Sequence, residues 1–135
     1  MFDTKIALVL LEDLAVWQKL NVSAFLTSGI LGANEKLLGE PYADADGNNY
    51  APLIIQPIVV LSASESEIQR TYARAMGRDI HLAIYIEDMF RTGNDAANRA
   101  AVSLQKSDAL NLVGIAMREN NKVVDKVTKG LKLHT

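Results

Sequence analysis

The sequence predicts a layered α/β domain, and three observations carry that prediction. Short apolar runs with the make-up of buried strands alternate along the chain with longer stretches of helical character. Capping and turn-forming residues stand at most of the junctions between them. The 135 residues are 49% apolar and 22% charged, which supplies one sizeable core and excludes a disordered or low-complexity chain. A single domain over residues 1–135 is expected, with no internal repeat.

Residues 5–11, Lys-Ile-Ala-Leu-Val-Leu-Leu, form a nearly continuous apolar run, as in a strand buried on both faces. Asp13 is placed to cap a helix from Leu14. Over residues 20–33 that helix is small or apolar around most of its circumference, with Phe25, Leu26, Ile30 and Leu31, which predicts deep burial. Gly29 and Gly32 point to close packing or a frayed end. Residues 39–52 are the one clear loop, and Asp46-Gly47-Asn48 suits the tip of a small hairpin.

Residues 53–61 read as a second strand, with Pro57 implying an edge position or a bulge. Ser64-Glu-Ser-Glu67 has the spacing of a capping box and opens a helix with Ile68, Tyr72, Ala75 and Met76 on one face, ended by Gly77. A third strand is expected within residues 79–88, where Ile80, Leu82, Ile84 and Ile86 alternate with His81, Ala83, Tyr85 and Glu87. Asn94 caps a short helix that turns Ala97, Ala101 and Leu104 inward. Residues 109–117 form a fourth strand, and Asn120-Asn121 starts a last helix carrying Val124, Val127 and Leu131. Lys126 and Lys129 complement the dipole at its end.

Several chemistries are excluded. The chain has no cysteine, so disulfide scaffolds, thiolate metal sites and cysteine nucleophiles are ruled out. The histidines, His81 and His134, are too few for a multi-histidine metal site. Residues 44–49 resemble a calcium loop superficially, but Asn49 and Ile55 stand where such a loop needs its glycine and its acid. Neither dinucleotide nor P-loop glycine patterns occur, nor the nucleophile-elbow pattern. No metal and no cofactor is expected. No apolar run is long enough to span a bilayer, and the start lacks the pattern of a secretion leader, so a cytoplasmic protein away from membranes is expected. The net charge of -2 makes nucleic acid an unlikely partner. That charge is uneven: residues 1–67 carry nine acids against three bases, and residues 68–135 carry seven acids against eleven bases. The basic half leaves room for one local anion site.

The densest cluster of reactive groups is Glu87-Asp88-Met-Phe-Arg91-Thr92-Gly93-Asn94-Asp95, directly after a predicted strand. Ligands in open α/β sheets bind beyond the carboxyl ends of strands. The same residues also suit a plain strand-to-helix turn, with Arg91 paired to a surface carboxylate. His81 reads as a partly buried structural histidine, His134 as solvated, and Trp17 as a core anchor or, secondarily, an interface residue.

Four segments carry a family resemblance. They are the opening strand from Lys5 with its helix, Gln18-Lys19-Leu20-Asn21-Val22-Ser23-Ala24, Asp88-Met-Phe-Arg91-Thr92, and Val127-Thr128-Lys-Gly-Leu131-Lys132-Leu133. In this order they resemble the type II peptidyl-tRNA hydrolase superfamily, and more closely its uncharacterised relatives, the domain-of-unknown-function 2000 family. The resemblance implies a three-layer α/β/α fold around a mixed sheet of about four main strands. It also implies Lys19 and Asp88 as a catalytic pair, with Arg91, Thr92 and Ser23 as ligand-binding residues. Gln18, Ser23, Leu26 and Gly93 depart from the hydrolase pattern, where a glycine and three polar side chains of longer reach are expected.

The resulting expectation is a module that binds a small polar ligand. A hydrolase acting on an ester or amide bond is the alternative, with true peptidyl-tRNA hydrolysis expected to be absent. A third expectation is a homodimer, because Trp17, Phe25 and the apolar circumference of the first helix exceed what one sheet face needs to cover it.

Overall fold

The computed structural model describes residues 2–135. The chain runs through β1 (Thr4–Leu11), α1 (Val16–Ala33), a hairpin of β2 (Tyr42–Ala43) and β3 (Asn49–Tyr50), β4 (Ile58–Ala63) and α2 (Glu65–Met76). It continues through β5 (Ala83–Ile86), a 3-10 turn (Glu87–Arg91), α3 (Asp95–Ser103), β6 (Leu112–Asn120), α4 (Asn121–Val127) and β7 (Lys132–Leu133). One mixed sheet has the order β5-β6-β1-β4-β7. β1 and β4 are parallel, with Ile6 opposite Ile58 and Leu11 opposite Ala63, and every other pairing in it is antiparallel.

β1 is buried on both faces, as its apolar run requires. Ile6, Leu8 and Leu10 face α1, where Val22, Leu26 and Ile30 cover them. Ala7 and Val9 face the other way, against Ile68, Tyr72 and Ala75 of α2 and Val124 and Val127 of α4. The sheet is thus sandwiched between α1 on one side and α2 with α4 on the other, the α/β layering expected, with a fifth short strand, β7, at the edge.

Two glycines let α1 come close. A Cβ on Gly114 would lie 2.6 Å from Val22 Cγ1 and 2.9 Å from Leu26 Cδ1, and one on Gly29 would lie 2.8 Å from Ala83 Cβ. A methyl at Gly32 would meet nothing within 4 Å, so that glycine answers no packing need. Between Tyr85 and Ile86 the register skips, Tyr85 pairing with Gly114 and Ile86 with Leu112. Val113 is the extra, bulged residue, and the bulge lies at the β5 end of the sheet where the chain turns out.

Local signals held where a side chain caps its own helix. Ser64 and Glu67 form the reciprocal capping box of α2, and Asn94 Oδ1 accepts the Ala97 N–H at the start of α3. Asn120 caps α4 in the same way through Lys122. Other boundaries differ from expectation. α1 starts at Val16 rather than Leu14, and Gln18 rather than Asp13 serves its end, accepting the Ala15 N–H at 3.0 Å. Pro57 has no N–H to give a ladder, so β4 begins only at Ile58, and Ile54 makes a single bridge to Leu38.

β5 is shorter than the alternating pattern suggests. Asp79 takes φ 55, and the Ile80 N–H turns back to the Ala75 carbonyl, so this segment closes α2 before the strand starts. His81 is therefore exposed and outside the strand, not partly buried in it. β6 begins at Leu112 and runs on to Asn120 because residues 107–109 form a 3-10 turn. Leu104, expected inward, is 83% exposed just beyond the end of α3, while Ala101 and Val102 pack against the α2 side. His134, expected to be solvated, is half-buried, its backbone N–H bonded to the Val60 carbonyl. No helix among the described residues is long and apolar enough to cross a membrane.

Candidate functional site

β1 and β5 both run antiparallel to β6, so their carboxyl ends open at the same end of the sheet. The start of α1 and the 3-10 turn at Glu87–Arg91 meet there. Helical spacing puts Trp17, Asn21 and Phe25 on one row of α1, each four residues from the next, and that row flanks β5. Trp17 packs edge-on against Phe90 with ring centroids 5.9 Å apart. Phe90 lies 5.2 Å from Tyr85, and Tyr85 lies 5.8 Å from Phe25. Trp17 is 62% exposed, so it borders solvent and is not the core anchor the sequence suggested.

These rings border a cleft of about 350 Å3 closed on its far side by Thr92, Gly93 and Asn98. That is within the usual size of small-molecule clefts. Its polar groups are mostly neutral. Asn21 Nδ2 donates to the Tyr85 hydroxyl at 3.3 Å. Thr92 Oγ1 lies 3.0 Å from the Met89 carbonyl and also against the Asn98 side-chain amide. One hydroxyl proton cannot serve two acceptors; both contacts are satisfied when Thr92 donates to Met89 and Asn98 turns its Nδ2 to Thr92. Asp95, at the rim, is paired with Arg99.

Of the five residues singled out in the sequence, Thr92 lines this cleft and four do not. Ser23 spends its hydroxyl on the Lys19 carbonyl at 2.8 Å, a bond within α1. Lys19 shares Ser23's row of the helix, away from the Trp17 row, and forms no ion pair among the described residues. Asp88 sits in the 3-10 turn with Oδ1 buried and without a hydrogen-bond donor. Lys19 and Asp88 thus lie at the same end of the sheet without pairing. Arg91 is exposed and bonded to Glu87 at 3.2 Å, the surface pairing that a plain turn would show.

The residues that line the cleft and that the sequence did not single out are Asn21, Tyr85, Phe90 and Asn98. A signal existed for the first row, since Trp17, Asn21 and Phe25 recur at four-residue spacing. Phe90 lay inside the Glu87–Asp95 run, but neither it nor Tyr85 showed in the sequence that it would face a cleft, because the bulge and the 3-10 turn decide where their rings point.

Fold and cleft together define a mixed α/β structure with an aromatic-bordered, amide-lined pocket at the carboxyl end of an edge strand. The chain matches the family described as "Protein of unknown function (DUF2000)" over residues 4–135, and it belongs to that family. A solved structure of a protein of unknown function from Agrobacterium tumefaciens strain C58 is 53% identical to it, covers all of both chains and superposes with a TM-score of 0.98. No curated protein matches the chain.

Proposed function

We propose that this protein is a binding module for a small, flat, polar molecule, such as an amide-bearing or nitrogen-heterocyclic ring, seated in the Trp17–Phe90 cleft. The observation that carries this reading is the convergence of aromatic rings with the amide groups of Asn21 and Asn98 and the Thr92 hydroxyl on one cleft whose single carboxylate, Asp95, is at the rim and paired with Arg99. A flat ring stacked on an aromatic side chain gains ~1–3 kcal/mol. Side-chain amides offer a donor and an acceptor side by side, which matches the edge of such a ring.

Trp17 is the only tryptophan, so its fluorescence reports on the cleft directly. Titrating nucleosides, nicotinamide and N-acetyl amino-acid amides should give saturable quenching, with a dissociation constant below ~1 mM for at least one. Phe90→Ala and Asn98→Ala should each weaken it by about tenfold, the loss of one such contact. A flat response across the panel, or affinity unchanged in both variants, overturns the reading.

A second reading, hydrolysis of an ester or amide bond, is favoured by one observation: Asp88 Oδ1 is a buried acceptor without a donor and could orient a water. We read the architecture as peptidyl-tRNA hydrolase-like on the order of the four resembling segments, yet expect no peptidyl-tRNA hydrolysis. Leu26 is packed into the α1 side of the core and Gly93 has no side chain, so two of the expected polar groups are missing. Losing one charge-stabilising donor costs ~100-fold or more in rate. Peptidyl-tRNA turnover at low salt within about tenfold of an authentic hydrolase, abolished by Asp88→Ala, would make this protein an enzyme. We also propose a homodimer in the cytoplasm, supported by the exposed apolar face of α1.

A further inference from the structure

At the opposite end of the sheet, the end of α1, the 3-10 turn at Glu35–Leu37 and the last part of β6 surround two adjoining clefts, about 620 and 390 Å3. Both are lined by Asn34 and Arg118. Arg118 stands on β6 opposite Ile6 of β1. Its Nε donates to Gln56 Oε1 at 3.2 Å and its Nη1 to Asn34 Oδ1 at 3.2 Å.

These two acceptors are themselves held. Gln56 is 7% exposed and donates from Nε2 to the Thr4 carbonyl at 3.2 Å. Asn34 donates from Nδ2 to the Ile30 carbonyl at 2.9 Å. The guanidinium is therefore clamped by two neutral amides, each fixed to backbone. No carboxylate neutralises it: the ion pairs among the described residues are Lys5–Asp125, Arg91–Glu87 and Arg99–Asp95. Glu35 and Glu119 border the clefts, yet neither reaches Arg118 closely enough to pair.

A half-buried arginine is ordinarily matched by an anion, because neutral amides return only part of the hydration it gives up. The guanidinium has five N–H donors in a planar fork, and the two amides take donors on only two of its nitrogens. That fork suits the paired oxygens of a carboxylate or phosphate. Lys36 lines the larger cleft as a second cation, beside the apolar surfaces of Leu37 and Ile55.

We propose that Arg118 is the floor of a second ligand site, for a small organic anion whose carboxylate or phosphate head meets Arg118 and Lys36 while a short apolar body lies over Leu37 and Ile55. The site is separate from the aromatic cleft and does not rest on it. The competing role for Arg118 is only to complement the negative end of the α1 dipole, and that role needs no ligand.

The test is an NMR titration of the full chain with inorganic phosphate in one arm and hexanoate in the other, each against sodium chloride at matched ionic strength. The Arg118 Nε–H and Asn34 side-chain signals should move saturably in at least one arm, with a dissociation constant below ~10 mM. The arm that saturates identifies the head group. Arg118→Gln should weaken that binding at least tenfold. Should that variant fail to fold, Lys36→Ala on the exposed turn replaces it, with at least a threefold weakening expected. Absence of saturation in both arms, shifts spread evenly over surface lysines, or affinity unchanged in the folded variant overturns the proposal.

Discussion

Asp44 shows how much one exposed carboxylate can organise. It accepts the Tyr50 hydroxyl at 2.7 Å, Asn48 Nδ2 at 3.0 Å, and the backbone N–H groups of Asp46 and Asn48 at 2.9 Å each. The Tyr50 and Asn48 bonds hold its carboxyl down at about 2, against an ordinary 3.8. The same bond pushes the Tyr50 hydroxyl up. A carboxyl lowered by folding stabilises the hairpin fully above its unfolded value, and that support is lost as pH falls through the folded value. Order at the β2–β3 tip should therefore persist at pH 4 and decay towards pH 2. The Asp46 and Asn48 amide shifts should titrate with a midpoint of about 2, and Asp44→Asn should remove that titration. A midpoint near the ordinary 3.8 would show that the network does not form. From the sequence the turn itself was legible through Asp46-Gly47, whereas the contribution of Tyr50, six residues away, was not.

At the scale of elements, the seating of α1 on the sheet rests on residues that present no side chain. Adding a methyl at Gly114 drives it into Val22 and Leu26. Gly114→Ala should lower stability by ~1–3 kcal/mol, as overpacking of a close-packed core does. Gly32→Ala, where a methyl meets open space, should raise it by ~0.4–1 kcal/mol by restricting the unfolded chain. Urea denaturation of the two variants measures both; equal stabilities would mean that α1 does not approach the sheet as closely as described. The caps at Ser64, Asn94 and Asn120 were readable because each bonds within a few residues of itself. Asp13 misled because Gln18, three residues beyond the cap, served the helix end instead. The β5 boundary misled because alternation in the sequence continues through residues that the left-handed turn at Asp79 assigns to the end of α2.

Across the whole molecule, α1 carries apolar side chains on both its faces. Its inner row is buried, while Val16 and Leu20 are 73% and 67% exposed near its start. A second copy covering that face would remove this surface from water at ~25 cal/mol per Å2, the ordinary drive for a permanent dimer. Light scattering at micromolar concentration should give twice the 14.8 kDa chain mass, and Leu20→Glu should return it to one chain. A mass near 14.8 kDa for the unaltered protein rules the dimer out.

The α/β class, the buried opening strand, the hairpin loop and three of the helix caps were determined by the sequence alone. Each depends on the character of a continuous run or on a bond between near neighbours. The short β7 edge, the Val113 bulge and the clefts at the two ends of the sheet were decided only by the tertiary structure. Thr92 stood out in the sequence because it lies in a dense polar run, and the structure places it on the wall of the aromatic cleft. Lys19 and Asp88 were legible as reactive groups, but nothing local could say that they would form no ion pair. Arg118, Gln56 and Asn34 are far apart in the chain and unremarkable singly. They acquire meaning only when β6 crosses beneath the end of α1 and brings an uncompensated cation between two clefts. Local bonding is written in neighbouring residues, whereas a binding site is made by long-range packing that no single stretch encodes.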